Sequence, residues 1–264
     1  MIKVGVVGAL GKMGREVVNA VLKSDDMQLV CAVDVRENGS DIGKIINGTE
    51  IGVKIFTDIS EAINLSSPDV MIDFTQPQGI FEHVCTYIKN NVKSVIGTTG
   101  LKENQIEQLR ILSSENNTGC LIAPNFSTGA VLMMMFSKMA AKYFNNAEII
   151  ELHHNQKKDA PSGTAVKTAQ MMAEVNDNFA YNNCPETETL SGARGANANA
   201  NIHIHSVRMP GYIASQEVIF GASGQIFKIR HDSMDRTCYM DGILLAVRHV
   251  FGKNDFIYGL DNIM

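Results

Sequence analysis

Ile2-Lys-Val-Gly-Val-Val-Gly8-Ala-Leu-Gly11-Lys-Met-Gly14-Arg-Glu-Val-Val-Asn-Ala-Val-Leu22 is the stretch that decides the fold class. Lys3 to Val7 is a continuous apolar run, the pattern of a strand buried on both faces. Met13 to Leu22 carries apolar residues at 13, 17, 18, 21 and 22, which is helical spacing. Between them Gly8, Gly11 and Gly14 form a G-x-x-G-x-x-G turn, a variant of the commoner G-x-G-x-x-G. Glycines at a strand-to-helix turn let the backbone approach a pyrophosphate, and the helix N-terminus adds N–H donors and positive potential. Twenty residues after Gly14, at the end of the β-branched run Leu29–Val33, lies Asp34. A carboxylate placed there can accept hydrogen bonds from an adenosine ribose. The plainer alternative is an ordinary glycine turn followed by an unrelated surface Asp. Lys12 and Arg36 could meet a ribose 2′-phosphate, so the residues leave NADH and NADPH both open.

The same alternation continues outward. Val70–Phe74, Val92–Ile96 and Cys120–Ala123 are apolar runs, each preceded by a polar or amphipathic stretch. Apolar strands alternating with helices predict an α/β fold with a doubly wound parallel sheet of the Rossmann type. In such sheets ligands sit at the strand C-termini. Two further turns fall there: Asp73-Phe74-Thr-Gln-Pro77 and Gly97-Thr98-Thr99-Gly100. Backbone groups of the second could hold a nicotinamide carboxamide, although structural turns of this composition are common. After Thr128 the pattern changes. Thr128–Phe144 and Gly163–Val175 read as helices, Ala147–His153 as a strand, and Ile202–Met209, Gln216–Phe220 and Gln225–Ile229 as β-rich runs between Pro-Gly and Gly-Ala-Ser-Gly turns. These predict a C-terminal α+β domain with a mixed sheet. Asp241–Phe251 reads as a last amphipathic helix. The polar stretch 176–201 reads as a mobile connection with no packed core of its own.

Composition narrows the function classes. The chain has 264 residues, of which 45% are hydrophobic and 19% charged, as in ordinary globular proteins. A net charge of −5 argues against a nucleic-acid partner, which needs a basic field. No apolar run reaches the ~20 residues of a membrane span, and the N-terminus reads as a strand, not a signal peptide. Cys31, Cys85, Cys120, Cys184 and Cys238 are odd in number and never paired as C-x-x-C. They read as reduced, mostly buried thiols of a cytoplasmic protein without a metal site, and a catalytic Cys stays open as the lesser alternative.

The stretch richest in chemistry is Glu148-Ile-Ile-Glu-Leu-His153-His154-Asn-Gln-Lys157-Lys158-Asp-Ala-Pro-Ser162-Gly163-Thr164-Ala165. His153, His154 and Lys157 place three groups that can carry positive charge within five residues at a strand end. Adjacent strand residues face opposite ways, so both histidines serve one site only if the strand ends or bulges there. Pro161-Ser-Gly-Thr164 then opens a helix, with Ser162 or Thr164 near the N-cap. Cationic side chains beside free helix-start amides describe a receptor for a small dianion. The alternative is a solvated loop, a capped helix and a core histidine.

This segment resembles the signature of the dihydrodipicolinate (4-hydroxy-tetrahydrodipicolinate) reductase family, E-x-H-H-x-x-K-x-D-A-P-S-G-T-A. The similarity extends over essentially the whole chain. It takes in the Gly8–Gly14 loop, the Asp73-Phe-Thr turn, Gly97-Thr-Thr-Gly100, Ala123-Pro-Asn-Phe-Ser127, Ile204-His-Ser-Val-Arg208, Glu217-Val-Ile-Phe-Gly221 and Tyr258-Gly-Leu-Asp261. The resemblance implies an NAD(P)H-dependent oxidoreductase that reduces a small cyclic dicarboxylate in lysine and diaminopimelate biosynthesis. It implies His153 and Lys157 as the acid–base pair. His154, Lys157, Ser162, Gly163 and Thr164 would hold the substrate. Gly8, Gly11, Lys12, Met13, Gly14, Asp34, Arg36, Phe74, Gly97, Thr98, Thr99, Asn125 and Phe126 would line NADH and/or NADPH. Residues 1–126 with 236–264 would form the dinucleotide-binding domain, and 127–235 a substrate and tetramerisation domain, with hinges near 125–128 and 235. A homotetramer is implied.

Three positions depart from the family. Leu10 stands where many members have a second loop glycine, Val35 where some carry Arg, and Ser215 where a His is common. The implied reaction sends hydride to the conjugated C=C–C=N system after loss of the 4-hydroxyl. The developing charge at the ring is then protonated by Lys157 or His153. Two rivals remain: an aldehyde-type reductase on the same nucleotide fold, which needs a nucleophilic Cys beside a base, and a non-catalytic NAD(P)-sensing regulator, in which the His-His-x-x-Lys cluster would have decayed.

Overall fold

A computed structural model describes residues 1–177, 179 and 187–264. The chain divides into two compact units, Met1–Ser127 with Tyr239–Met264, and Thr128–Cys238.

The first unit is built on strands β1 (Ile2–Val7), β2 (Met27–Val33), β3 (Ile55–Phe56), β4 (Val70–Asp73), β5 (Lys93–Ile96), β6 (Cys120–Ile122) and, after the second unit, β12 (Phe256–Tyr258). They form one sheet in the order β12-β6-β5-β4-β1-β2-β3 with every pairing parallel. β1 and β4 are spatial neighbours but not sequence neighbours, so the winding reverses between them. Helices α1 (Lys12–Leu22), α2 (Ile42–Asn47), α3 (Ile59–Ser66), α4 (Ile80–Lys89), α5 (Glu103–Glu115) and α8 (Met240–Gly252) accompany the sheet. α1 packs on α8, burying Val17, Val18 and Val21 of one and Ile243, Ala246, Val247 and Val250 of the other. α3, α4 and α5 follow one another along the other face, over a core that includes Val33, Met71, Tyr87, Ile88 and Leu109. Apolar cover on both faces is why the strands read as unbroken hydrophobic runs.

Register has a direct consequence. Val7 pairs with Val33 and with Asp73, Asp73 with Ile96, and Ile96 with Ile122. The next residue of each strand therefore reaches the same edge of the sheet, and Gly8, Asp34, Phe74, Gly97 and Ala123 form one row.

The second unit holds β7 (Asn146–His153), β8 (Ala196–Asn197), β9 (His203–Arg208), β10 (Ala214–Ala222) and β11 (Gln225–Ser233), with helices α6 (Thr128–Ala140) and α7 (Gly163–Ala173). The sheet order is β11-β10-β7-β9-β8; β7 and β9 run parallel and the other pairs antiparallel. Ala147, Ile149 and Glu151 of β7 alternate with Glu148, Ile150 and Leu152. The first set faces a core formed with Ala165, Ala169, Met172, Ile204, Val218 and Phe220. The first helix ends four residues short of the expected Phe144.

The polar stretch 176–201 departs from its expectation. Phe179 is buried in the core, β8 pairs with β9, and Arg194 pairs with Glu148 at 2.7 Å. Part of the segment, including Cys184, lies outside the described residues. Among the described residues no helix is long and apolar enough to cross a membrane.

Phe220 is fully buried; it meets Phe144 in a tilted arrangement at a centroid distance of 5.5 Å and stacks with Phe227 at 6.1 Å. Phe220→Ala is expected to cost about 3–5 kcal/mol. The check is the urea midpoint of the full chain; an unchanged midpoint would place this ring outside the stabilising core.

Candidate active site

In the first unit the row of strand ends carries the glycine turn. Gly8 adopts φ +76°, its amide donates to Val33 O at 2.8 Å, and Gly11 N donates back to Gly8 O at 2.9 Å. A Cβ on Gly14 would overlap the Gly8 carbonyl, so only glycine lets α1 start this close to the turn. Gly11 is the N-cap and no side chain caps α1, so its first-turn amides are available to an anion. Lys12 is exposed, while Met13 is half-buried.

Asp34 is nearly buried. One carboxylate oxygen accepts Leu10 N at 3.0 Å, and the other accepts Arg36 Nε at 3.0 Å and Arg36 N at 3.3 Å. Asp34 therefore braces the glycine turn itself and tethers Arg36, whose guanidinium is pushed up in pKa by that hydrogen bond. Each oxygen has two lone pairs, so capacity for a ribose hydroxyl remains. Leu10 fills the departure from the family pattern with a buried side chain while its amide keeps the Asp34 bond. Val35 is exposed.

Asp73 fastens the remaining turns. It is fully buried, and Oδ1 accepts Thr75 N at 3.0 Å, Thr75 Oγ1 at 2.6 Å and Thr98 Oγ1 at 3.3 Å. Oδ2 accepts Tyr87 Oη at 2.7 Å and pairs with His83 Nδ1 at 2.9 Å. Burial, with the neighbouring carboxylate, holds the Tyr87 phenol protonated as a donor. The turns after β4 and β5 are thus tied to one carboxylate. Phe74 lies over Gly97, where a Cβ would overlap its ring, and meets Phe126 at 5.9 Å. Thr99 is exposed, and Asn125 Oδ1 accepts Ser127 N at 2.9 Å. A small cavity beside this row is bordered by Thr98, Thr99, Ala123 and Tyr258. The row therefore fits a dinucleotide: a glycine cradle that any Cβ would fill, uncapped helix amides, and an adjacent carboxylate–guanidinium pair.

In the second unit β7 ends at His153, so His154 leaves the strand and is exposed, with Nδ1 accepting Gln156 N at 3.3 Å. The two histidines do not share an orientation along a continuous strand. Lys157 is half-buried and its ammonium pairs with both oxygens of Asp159 at 2.8 Å. Ser162 is buried as the N-cap of α7, its hydroxyl accepting Ala165 N at 3.2 Å. Gly163 has open space around it, and Thr164 is half-buried in the first turn.

Two residues that carried no role in the sequence organise this end of the sheet. Glu151 is fully buried; Oε2 lies 2.5 Å from His153 Nδ1, and Arg208 donates to Oε2 at 2.9 Å and to Oε1 at 2.7 Å. Ser162 N adds a fourth donor at 3.2 Å. Burial alone would raise this carboxyl, but the bonds from His153, Arg208 and Ser206 outweigh it and bring it to about 2. Arg208 also donates to the carbonyls of Val207 and Asp159, both at 2.8 Å. The signals for Glu151 were its inward position in the β7 alternation and its place in the E-x-H-H signature; Arg208 closed the matched segment Ile204–Arg208, but its partner emerged only when β9 paired with β7. Ser215, where a His is common, is buried and hydrogen-bonds Asp232.

Burial pushes the Cys31 thiol up to about 11 and the Cys120 thiol up to about 12, which leaves both protonated; Cys85 and Cys238 are half-buried and free. Among the described residues no group of three His, Cys, Asp or Glu could hold a metal.

A parallel sheet that reverses its winding at β1/β4, with a glycine cradle on its C-terminal edge, places the first unit in the dinucleotide-binding class of α/β oxidoreductases. The chain belongs to the dihydrodipicolinate reductase family: "Dihydrodipicolinate reductase, N-terminus" matches residues 2–126 and "Dihydrodipicolinate reductase, C-terminus" residues 129–264. It is 48% identical to a 4-hydroxy-tetrahydrodipicolinate reductase of Rippkaea orientalis, over 100% of this chain and 98% of that one. It is 51% identical to a protein of the same name from Thermosynechococcus vestitus, over 100% and 97%. A dipicolinate-bound dihydrodipicolinate reductase from Paenisporosarcina sp. TG-14 superposes with a TM-score of 0.91 at 46% identity, covering 100% of both chains.

The depressed Glu151 carboxyl fixes a pH dependence. Its stabilising effect is fully present above the ordinary value of 4.5 and is lost as pH falls from there towards 2. The urea midpoint of the wild type is expected to drop over that window more steeply than that of Glu151→Gln. Parallel curves would show that the carboxylate adds nothing.

Proposed function

We propose that this protein catalyses the NAD(P)H-dependent reduction of 4-hydroxy-tetrahydrodipicolinate to tetrahydrodipicolinate, a step of lysine and diaminopimelate biosynthesis in the cytoplasm. Full-length identity near 50% to reductases of that name supports the reaction. The observation that carries it is the cluster at the end of β7: His153 anchored by Glu151 and Arg208, with Lys157 and the start of α7 beside it in sequence.

Bound in the row from Gly8 to Phe126, a reduced nicotinamide supplies the hydride. Gly8, Gly11 and Gly14 admit the pyrophosphate to the backbone, with Lys12 and Met13 at the helix start. Asp34 would accept a ribose hydroxyl through Oδ2, and Arg36 would pair with a 2′-phosphate when one is present, which fits NADH and/or NADPH. Phe74, Gly97, Thr98, Thr99, Asn125 and Phe126 shape the nicotinamide end. In the second unit, His154, Lys157, Ser162, Gly163 and Thr164 hold the two substrate carboxylates through ammonium, imidazole and helix-start amides. Once the 4-hydroxyl has left as water to give the conjugated C=C–C=N system, hydride addition would move electron density towards the ring nitrogen, and the His153/Lys157 pair would stabilise and protonate the product of that step. Substrate carboxylates would draw Lys157 away from Asp159, an exchange of one anionic partner for another.

The units divide the work as a dinucleotide-binding domain, residues 1–126 with 236–264, and a substrate and tetramerisation domain, 127–235. Supporting a homotetramer, the sheet face of the second unit opposite α6 and α7 presents Ile150, Leu152, Val207 and Ile219, the exposed Ile226, and Glu217 paired with Lys228 and Arg230.

Coupling the protein to a synthase that supplies the substrate, and following the 340 nm absorbance of either nucleotide, tests the reading. His153→Ala and Lys157→Ala are each expected to lower turnover by about 10²–10⁴-fold; wild-type turnover in both folded variants would refute the assignment. Arg36→Ala is expected to raise the KM for NADPH about tenfold, the loss of one charge-assisted bond, and to leave that for NADH unchanged. Equal effects on both nucleotides would remove Arg36 from the 2′-phosphate.

A further inference from the structure

The buried carboxylate of Glu151 is not used by the mechanism above, yet every lone-pair direction it has is occupied. Oε1 takes Arg208 Nη2 and the Ser162 amide; Oε2 takes Arg208 Nη1 and faces His153 Nδ1, and the Ser206 side chain bonds the same carboxylate. A carboxylate brought to about 2 is ionised at neutral pH and can only accept hydrogen bonds. The hydrogen between Glu151 and His153 therefore sits on Nδ1, and Nε2 is left as the ring nitrogen that gains or loses a proton.

We infer that Glu151 is the positioning residue of the site: it holds His153 in the Nδ1–H tautomer, so that Nε2 exchanges the catalytic proton, while Arg208 neutralises the buried carboxylate. This rests on the reading of His153 as an acid–base group and adds which atom acts and what fixes it. The arrangement parallels a base oriented by a third group in other proton-transfer sites. Glu151 cannot turn away, because Arg208 grips it through two nitrogens and is itself pinned by the carbonyls of Val207 and Asp159. The Ser162 amide ties the same carboxylate to the first turn of α7, so one group sets both the imidazole and the helix start. The other charged groups of this end are on the loop: Lys157 pairs with Asp159, whose side chain is 63% exposed, and His154 is exposed. Lys157 has a partner that a ligand can replace; His153 has one that it cannot.

The competing explanation is that Glu151 serves only to neutralise Arg208. Replacing both by apolar residues of similar volume, Glu151→Leu with Arg208→Met, removes the two charges together and leaves neither unpaired. In the full chain, long-range 1H–15N spectra of the histidine rings, with His153 assigned by its loss in His153→Gln, read the tautomer without any assay of activity. The wild type is expected to show Nδ1–H and the double variant Nε2–H. The double variant, folded by circular dichroism, is expected to lose about 10–10²-fold in kcat, less than removal of the acid itself, with substrate KM little changed. Glu151→Gln, which keeps an acceptor oxygen, recovers part of the turnover. An Nε2–H ring in the wild type, or wild-type kcat in the double variant, overturns the inference. Failure of the wild type to turn over the substrate would instead refute the proposed function, and the tautomer would still decide this point.

Discussion

The register of the parallel sheet is the constraint on which the rest depends. Because Val7, Val33, Asp73, Ile96 and Ile122 are paired across the strands, five turns far apart in sequence finish at one edge. A slip of one residue in any strand would carry its turn out of line and turn its buried side chains around. Asp73 makes that alignment specific as well as regular. Its hydrogen bonds to Thr75 and Thr98 join two adjacent turns, and those to His83 and Tyr87 fasten them to α4. A buried carboxylate with this many donors is costly to leave partly satisfied, which favours the single arrangement in which all are met.

The second unit solves the same problem with a different residue. Glu151 and Arg208 form a buried ion pair, which in general adds little net stability over apolar residues of the same size. What the pair adds is direction: a fork-to-fork contact fixes two oxygens in a plane, and those oxygens set the His153 ring and the start of α7. Both units therefore place a buried, hydrogen-bonded carboxylate at a strand end, one step behind the groups proposed to meet a ligand. The visible motifs are the outer layer of these networks.

That layering explains what could be read in the sequence. β1, β2, β4, β5 and β6 stood out because burial on both faces removes polar residues from them, and α1, α6, α7 and α8 were readable as helical stretches, whereas α4 and the 13-residue α5 were passed over as polar or amphipathic stretches between strands. β3 and β12 are two and three residues long and α2 is six, too short to show a period. Phe179 was hidden in a polar stretch, where one aromatic anchor does not alter the local composition. The glycine turn and the His153–Thr164 segment could be singled out because each is contiguous, and Asp34 because it closes the next strand's apolar run at a fixed interval from the turn. Arg208 was not, since it reaches Glu151 across 57 residues and only β-pairing brings them together. The bonds from Asp34 to Leu10 and Arg36 were equally invisible, because they depend on the path of the loop and not on residue type.

The chain order of the first unit carries a consequence for synthesis. α8 and β12 complete that unit's sheet and cover one of its faces, but they follow the entire second unit in sequence. While a ribosome is translating residues 128–238, the apolar side that α8 will cover stays bare, and β6 remains an open edge. A nascent chain at that stage presents chaperones with a half-clad sheet beside a domain able to complete its own sheet. Quality control in the cell would meet this protein chiefly as that intermediate.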